Sequence, residues 1–216
     1  MKKMIVLGAA FLFAVTGFAQ SEKYTAKMKE LTAKMNTEKT ADGLAELANT
    51  FERVGDAEKT QWLPYYYAAY SNLMAATFKS MGKQDASITD PAADKADALI
   101  TKALALTKEN SEIWCIKKMI ATTRMMGDPM SRWMQYGPQA SEALEKAKEM
   151  DANNPRVYLL EGQDKFYTPE QFGGSKAEAK VLFEKAKALY GTHKPETELH
   201  PSWGLMTVEY FLTQIK

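Results

Sequence analysis

His193 and His200 are the two histidines of the chain, and Glu196 and Glu198 lie between them. Imidazole and carboxylate together are metal-ligand chemistry. Their spacing fits neither the i, i+4 pair of a metal-binding helix nor a zinc finger, so no metal site is expected. Pro195 and Pro201 flank the same stretch, which reads as an exposed loop. Gly173-Gly174-Ser175-Lys176 could hold an anion on free helix amides. It lacks the earlier glycine of a P-loop and follows no strand, so it reads as a tight turn with Ser175 capping the next helix. Cys115 is the sole cysteine; no internal disulfide is available, and it reads as a small buried apolar residue. Glu142 and Glu145 read as helix-surface charges pairing with lysines three or four residues away. No Ser/His/Asp or Cys/His set is apparent. The chain is therefore expected to bind rather than catalyse, with no cofactor.

The first nineteen residues, MKKMIVLGAAFLFAVTGFA, have the form of a secretory signal peptide. Lys2 and Lys3 are followed by an apolar run from Met4 to Phe13, and small residues stand at Gly17 and Ala19. Residues 1–19 are thus expected to be removed and 20–216 to form one domain. No cysteine follows the run, so a lipid anchor has no thiol to use, and a periplasmic or secreted location is expected. No later stretch approaches a membrane span. With 28 Lys and Arg against 27 Asp and Glu, the chain carries no electrostatic footprint for nucleic acid.

What remains must position the candidates. Ala, Lys, Glu, Leu and Met dominate, alternating β-branched runs are absent, and the chain reads as all-α. A first helix is expected over Ser21–Met35, on the stripe Tyr24, Met28, Leu31 and Met35. A second, capped by Thr40 or Thr37, ends at Gly55. A third opens at Trp62-Leu63-Pro64 and runs to about Met81. A polar loop from Gly82 to Pro91 precedes a helix from Ala92 to about Lys108, then Asn110 and Ser111 cap a helix over Glu112–Met125. Gly127-Asp128-Pro129 and Gly137-Pro138 read as two breaks around a short apolar piece, before a helix over Gln139–Met150.

Within these helices one pattern recurs: Ala96, Ile100, Ala103; Ala140, Leu144, Ala147; Ala179, Phe183, Ala186. Lys102, Lys146 and Lys185 each precede the last alanine. Eleven residues beyond Ala103 and Ala147 stand Trp114 and Tyr158, and Gly162 follows Tyr158 by four. This pattern resembles the tetratricopeptide (TPR) repeat, in which small residues sit where the helices of a hairpin touch and bulky ones fill the gap to the next hairpin. The resemblance implies a right-handed α-solenoid of TPR-like hairpins with degenerate repeats. It is clearest over Asp151–Leu189. Lys118 departs from it, standing where a small residue belongs. Extra residues are expected as loops in Met126–Pro138 and Thr168–Gly174.

The resemblance also implies a concave groove lined by the first helix of each hairpin, here with Tyr65, Asn72, Met119, Arg156, Leu159, Gln163 and Phe166, and Phe172 on the adjoining loop. That lining is apolar with a few polar groups and suits an extended peptide or protein partner. The run Tyr167–Gly174 and the helix after it are also similar to helical soluble components associated with TRAP-type transporters, which implies an apolar or amphipathic small ligand instead. The methionines Met119, Met125, Met126, Met130 and Met134 fit either core filling or an adaptable contact surface. The leading expectation is an exported scaffold for protein interaction, the alternative a small-molecule binder.

Overall fold

The computed structural model describes residues 22–81 and 83–215. The signal-peptide reading of residues 1–19 and the Ser21 cap fall outside them. Among the described residues there are nine α-helices, a single 3₁₀ turn and no strand: α1 (Glu22–Thr37), α2 (Ala41–Glu58), α3 (Leu63–Lys79), α4 (Ala86–Leu104), α5 (Ser111–Met126), α6 (Pro129–Met150), α7 (Pro155–Tyr167), the turn Glu170–Phe172, α8 (Lys176–Thr192) and α9 (Leu205–Gln214). The fold is all-α, as expected.

Helix starts are fixed locally. The side chains of Thr40, Asp85, Asn110, Asp128, Asn154 and Ser175 accept hydrogen bonds from the free amides of α2, α4, α5, α6, α7 and α8. Such caps contribute about 1 kcal/mol each. Prolines occupy the first turns of α3, α6 and α7, where an amide hydrogen has no intrahelical partner.

Packing runs chiefly between helices adjacent in the chain, and α1, α3, α5 and α7 also touch one another in that order. The recurring triplets lie inside: Ala96, Ile100, Ala103, Ala140, Leu144, Ala147, Ala179, Phe183 and Ala186 are all buried. The lysine in each has a common task. Lys102 on α4 lies 5.2 Å from the ring centre of Tyr65 on α3, Lys146 on α6 lies 4.5 Å from Trp114 on α5, and Lys185 on α8 lies 4.0 Å from Tyr158 on α7. Each pair clasps two consecutive helices by a cation over a ring. Gly162 brings α7 against α8 so closely that a β-carbon would stand 2.6 Å from the Phe183 ring.

Several expectations about breaks are corrected. Gly55 does not end α2. It lies within the helix, against the Tyr65 ring, and the chain turns only at Lys59, which has a positive φ of 58°. The polar stretch before Pro91 is helical from Ala86: Asp85 caps it, and Arg132 holds Asp90 by two hydrogen bonds of 2.6 and 3.0 Å. Gly137-Pro138 does not interrupt α6. Pro138 removes one amide donor, but the helix runs on through it, and Gln139 Nε2 donates to the Gln135 carbonyl at 3.1 Å. The residues added between Trp114 and Ala140 are therefore mostly extra helix rather than loop.

Candidate ligand-binding groove

Helices α1, α3, α5 and α7 touch in order, and a polar network lies where α3, α5 and α7 meet inside the protein. The Glu112 carboxylate on α5 accepts from Arg156 Nε at 2.8 Å to each oxygen, from Tyr66 Oη at 2.8 Å and from Asn154 Nδ2 at 2.7 Å. Arg156 is 1% exposed. Burial works against its charge, but Glu112 and Tyr66 together outweigh that and its pKa is raised. The Tyr66 phenol is pushed well up by burial, then by Glu112. The same two causes raise the Cys115 thiol well above its ordinary value. It therefore stays protonated and is no nucleophile at neutral pH.

The chain covers this network with its own C-terminal segment. After α8, residues 193–204 run back across the face. Leu199 is buried, and its carbonyl accepts from Tyr67 Oη at 2.9 Å. Trp203 stacks on Tyr70 with centroids 4.4 Å apart and planes at 26°, and donates from Nε1 to Tyr66 Oη at 2.8 Å. Tyr190 Oη donates to the Trp203 carbonyl at 2.8 Å. His200 meets the edge of Trp62 at 5.7 Å. The exposed loop expected here is thus a partly buried strap. Its apolar residues return to α3, more than 130 positions earlier in the chain.

Further along α7 the face opens. Phe166 contacts Tyr167 at 5.2 Å and Phe211 at 5.0 Å. Tyr167 and Tyr210 approach Phe211 at 5.7 and 5.6 Å. Phe211 anchors the group by stacking on buried Phe183 at 4.8 Å with planes at 8°. Unlike the buried tyrosines, Tyr167 and Tyr210 are 69% and 59% exposed, as are Met206 and Phe172 nearby in the chain at 64% and 65%. Lys176 Nζ lies 5.6 Å from the Phe166 ring centre, and Lys165 pairs with Glu178 at 2.6 Å. A separate exposed apolar group, Met130, Trp133 and Met134, lies on the first turns of α6.

The expected groove residues divide. Met119, Gln163 and Phe166 are half-buried, and Phe172 is exposed on the 3₁₀ turn. Arg156 and Leu159 are buried, closed off by their own contacts. Tyr65 and Asn72 face elsewhere: the Tyr65 hydroxyl donates to Asp56 on α2, and Asn72 Nδ2 donates to the Ala92 carbonyl on α4. The α3 residues that meet Trp203 are Tyr66 and Tyr70, because the register differs from the expected one. Lys118, out of place in the repeat, is buried and reaches Asp164 on α7 at 2.6 Å. The repeat spacing did not reach α9 at all. Its split pattern was the available signal, with Val208, Phe211 and Ile215 buried while Met206 and Tyr210 face outward.

Two clefts of about 340 and 350 Å³ lie elsewhere. They are lined largely by charged and polar side chains, such as Asp97, Lys117, Arg124 and Glu142 in the first and Lys27, Lys34, Glu38 and Glu46 in the second. Neither suits a large apolar ligand. Among the described residues no group of three or more His, Cys, Asp or Glu could hold a metal ion, and no helix is long and apolar enough to cross a membrane.

No protein-family model and no curated protein sequence matches the chain. Among solved structures, the HusA haemophore from Porphyromonas gingivalis superposes with a TM-score of 0.79 and 31% sequence identity, over 92% of this chain and 95% of that one.

Proposed function

We propose, on the premise that this chain belongs to the family of the HusA haemophore, that it is an exported carrier of haem or a related porphyrin. We place the ligand on the open aromatic end of the groove. The observation that carries this reading is the group Phe166, Tyr167, Tyr210 and Phe211. A flat macrocycle gains most where aromatic faces are wet and anchored, and here Phe211 is fixed from below while both tyrosines reach solvent. The ligand's carboxylates have Lys176 within reach of the same patch. On that patch the Tyr167 and Tyr210 phenols and the Met206 thioether are groups able to ligate iron. The TPR-like solenoid arrangement belongs to the same reading, supported by contacts among odd-numbered helices and by the three lysine-on-ring clasps.

The test is an absorption titration of the purified full chain with haemin and, separately, with iron-free protoporphyrin IX. Saturable binding is expected, and the Tyr167→Ser/Tyr210→Ser double variant should weaken it at least about tenfold with an unchanged melting temperature. Wild-type binding that this variant leaves intact would place the ligand elsewhere. A scaffold for a protein partner is the second reading. Met130, Trp133 and Met134 favour it, as an exposed, adaptable apolar group outside the proposed ligand site.

A further inference from the structure

Arg156, Leu159, Gln163 and Phe166 follow one another along α7 at steps of three, four and three residues, which keeps them on one helical face. The Phe166 end is the open aromatic patch. The Arg156 end is a slot built around a flat ring. Tyr70 stacks under that ring, the Arg156 guanidinium stands 5.7 Å from its centre, and the Tyr66 hydroxyl accepts a hydrogen bond from its edge. Helices α3 and α7 thus provide a stacking partner, a cation and a polar acceptor for one planar group. The group in place is Trp203, the chain's own.

The segment that delivers Trp203 is held unevenly. Residues 194–198 are exposed, and their ion pair to the body, Lys29 with Glu198 at 2.7 Å, joins side chains that are 52% and 60% exposed and well screened by water. The deepest hold is at Leu199, Pro201 and Trp203, with His200 half-buried against Trp62. Both ends of the strap are fixed without help from the slot. On one side α8 is packed on α7; on the other α9 is pinned by Phe211 on Phe183. The exit into α9 turns at Gly204, whose φ of +113° favours glycine, and a β-carbon there would stand 2.0 Å from Tyr190 Oη. The strap is therefore a loop whose two ends are anchored by packing outside the slot.

We propose that the Tyr66–Tyr70–Arg156 slot is an inner subsite for a planar aromatic ligand, filled by Trp203 when the protein is empty, and that the strap leaves the slot as the ligand moves in from the Phe166 end. The proposal rests on the porphyrin reading above. Internal occupancy lowers apparent affinity by the fraction of molecules whose slot is open. Emptying the slot should therefore tighten binding.

The experiment uses the full chain with protoporphyrin IX as the probe. Hydrogen exchange of residues 196–203 is followed with and without saturating ligand, alongside titration of Trp203→Ala and Glu198→Lys. Ligand should accelerate strap exchange, and Trp203→Ala should bind about tenfold or more tightly. Glu198→Lys, which loosens the strap without touching the slot, should shift affinity the same way by a smaller factor. A strap equally or better protected in the complex overturns the proposal, as does unchanged affinity in both variants. The exchange measurement on wild type decides the matter even if Trp203→Ala does not fold. Wild type that binds no porphyrin at all would instead remove the reading beneath it.

Discussion

The two ends of the α7 face are both rich in aromatic rings and differ in what their polar atoms do. At the Arg156 end three phenols are spoken for: Tyr66 donates to Glu112, Tyr67 to the Leu199 carbonyl, Tyr190 to the Trp203 carbonyl. At the Phe166 end Tyr167 and Tyr210 are mostly exposed. The first arrangement spends its rings on holding five elements together; the second keeps them free for something that is not protein. Density of aromatic residues alone does not separate the two, whereas exposure on an anchored base does.

That contrast can be broken by mutation, and the largest effect belongs to the buried end. Arg156→Ala leaves the Glu112 carboxylate buried without its cation and should destabilise the fold by about 3–5 kcal/mol in chemical denaturation. A loss under 1 kcal/mol would mean that the network is wetter than its geometry. Gly162→Ala pushes a methyl into the Phe183 ring beneath the open patch, and a cost of about 1–3 kcal/mol is expected. Thr40→Ala removes one cap far from either end and should cost about 1 kcal/mol without changing ligand affinity. At the open end, Tyr210→Ser should change stability by only about 0.5 kcal/mol, so any loss of binding there is read directly as loss of contact.

Acid sharpens the same comparison. His200, on the strap, has its pKa lowered from 6.5 by burial, with Glu196 and Glu112 opposing and Arg156 adding to the shift. The folded state then binds its proton less readily than the unfolded chain does. This contribution to stability is intact above pH 6.5 and is lost as pH falls from there through the folded value. Glu196 pairs with His200 Nε2 at 3.2 Å, while Lys29 and Glu198 carry the neighbouring charges. His200→Gln should flatten the decline between pH 7 and 5, measured as denaturation midpoints; an unchanged slope would assign the acid sensitivity to other groups.

Much of the helical framework was legible because alanines and bulky residues at four-then-three spacing can only pack one way. The register of α3 was not. Four tyrosines in six residues, Tyr65, Tyr66, Tyr67 and Tyr70, satisfy the pattern in more than one alignment, and a two-residue slip rotates a helix by roughly 200°. Arg156 looked like a groove residue because its partner, Glu112, lies 44 positions away. Prolines 91 and 138 read as breaks because local chemistry says so, and the contacts that override them are tertiary. The strap was illegible for the same reason: His, Pro and Glu around it describe a loop, and only the returning chain buries Leu199 and Trp203.

That return has a consequence for how the molecule comes apart. A row of helices that touch only their neighbours can fold from any point and fray from either end. Here hydrogen bonds bridging 132 and 137 residues fasten the late part of the chain to its third helix, and Glu198 reaches back to the first. The strap thus adds a long-range tie to α3. Fraying of the C-terminal helices must also break it, and its formation must wait for a long loop to close, which raises contact order and slows that step.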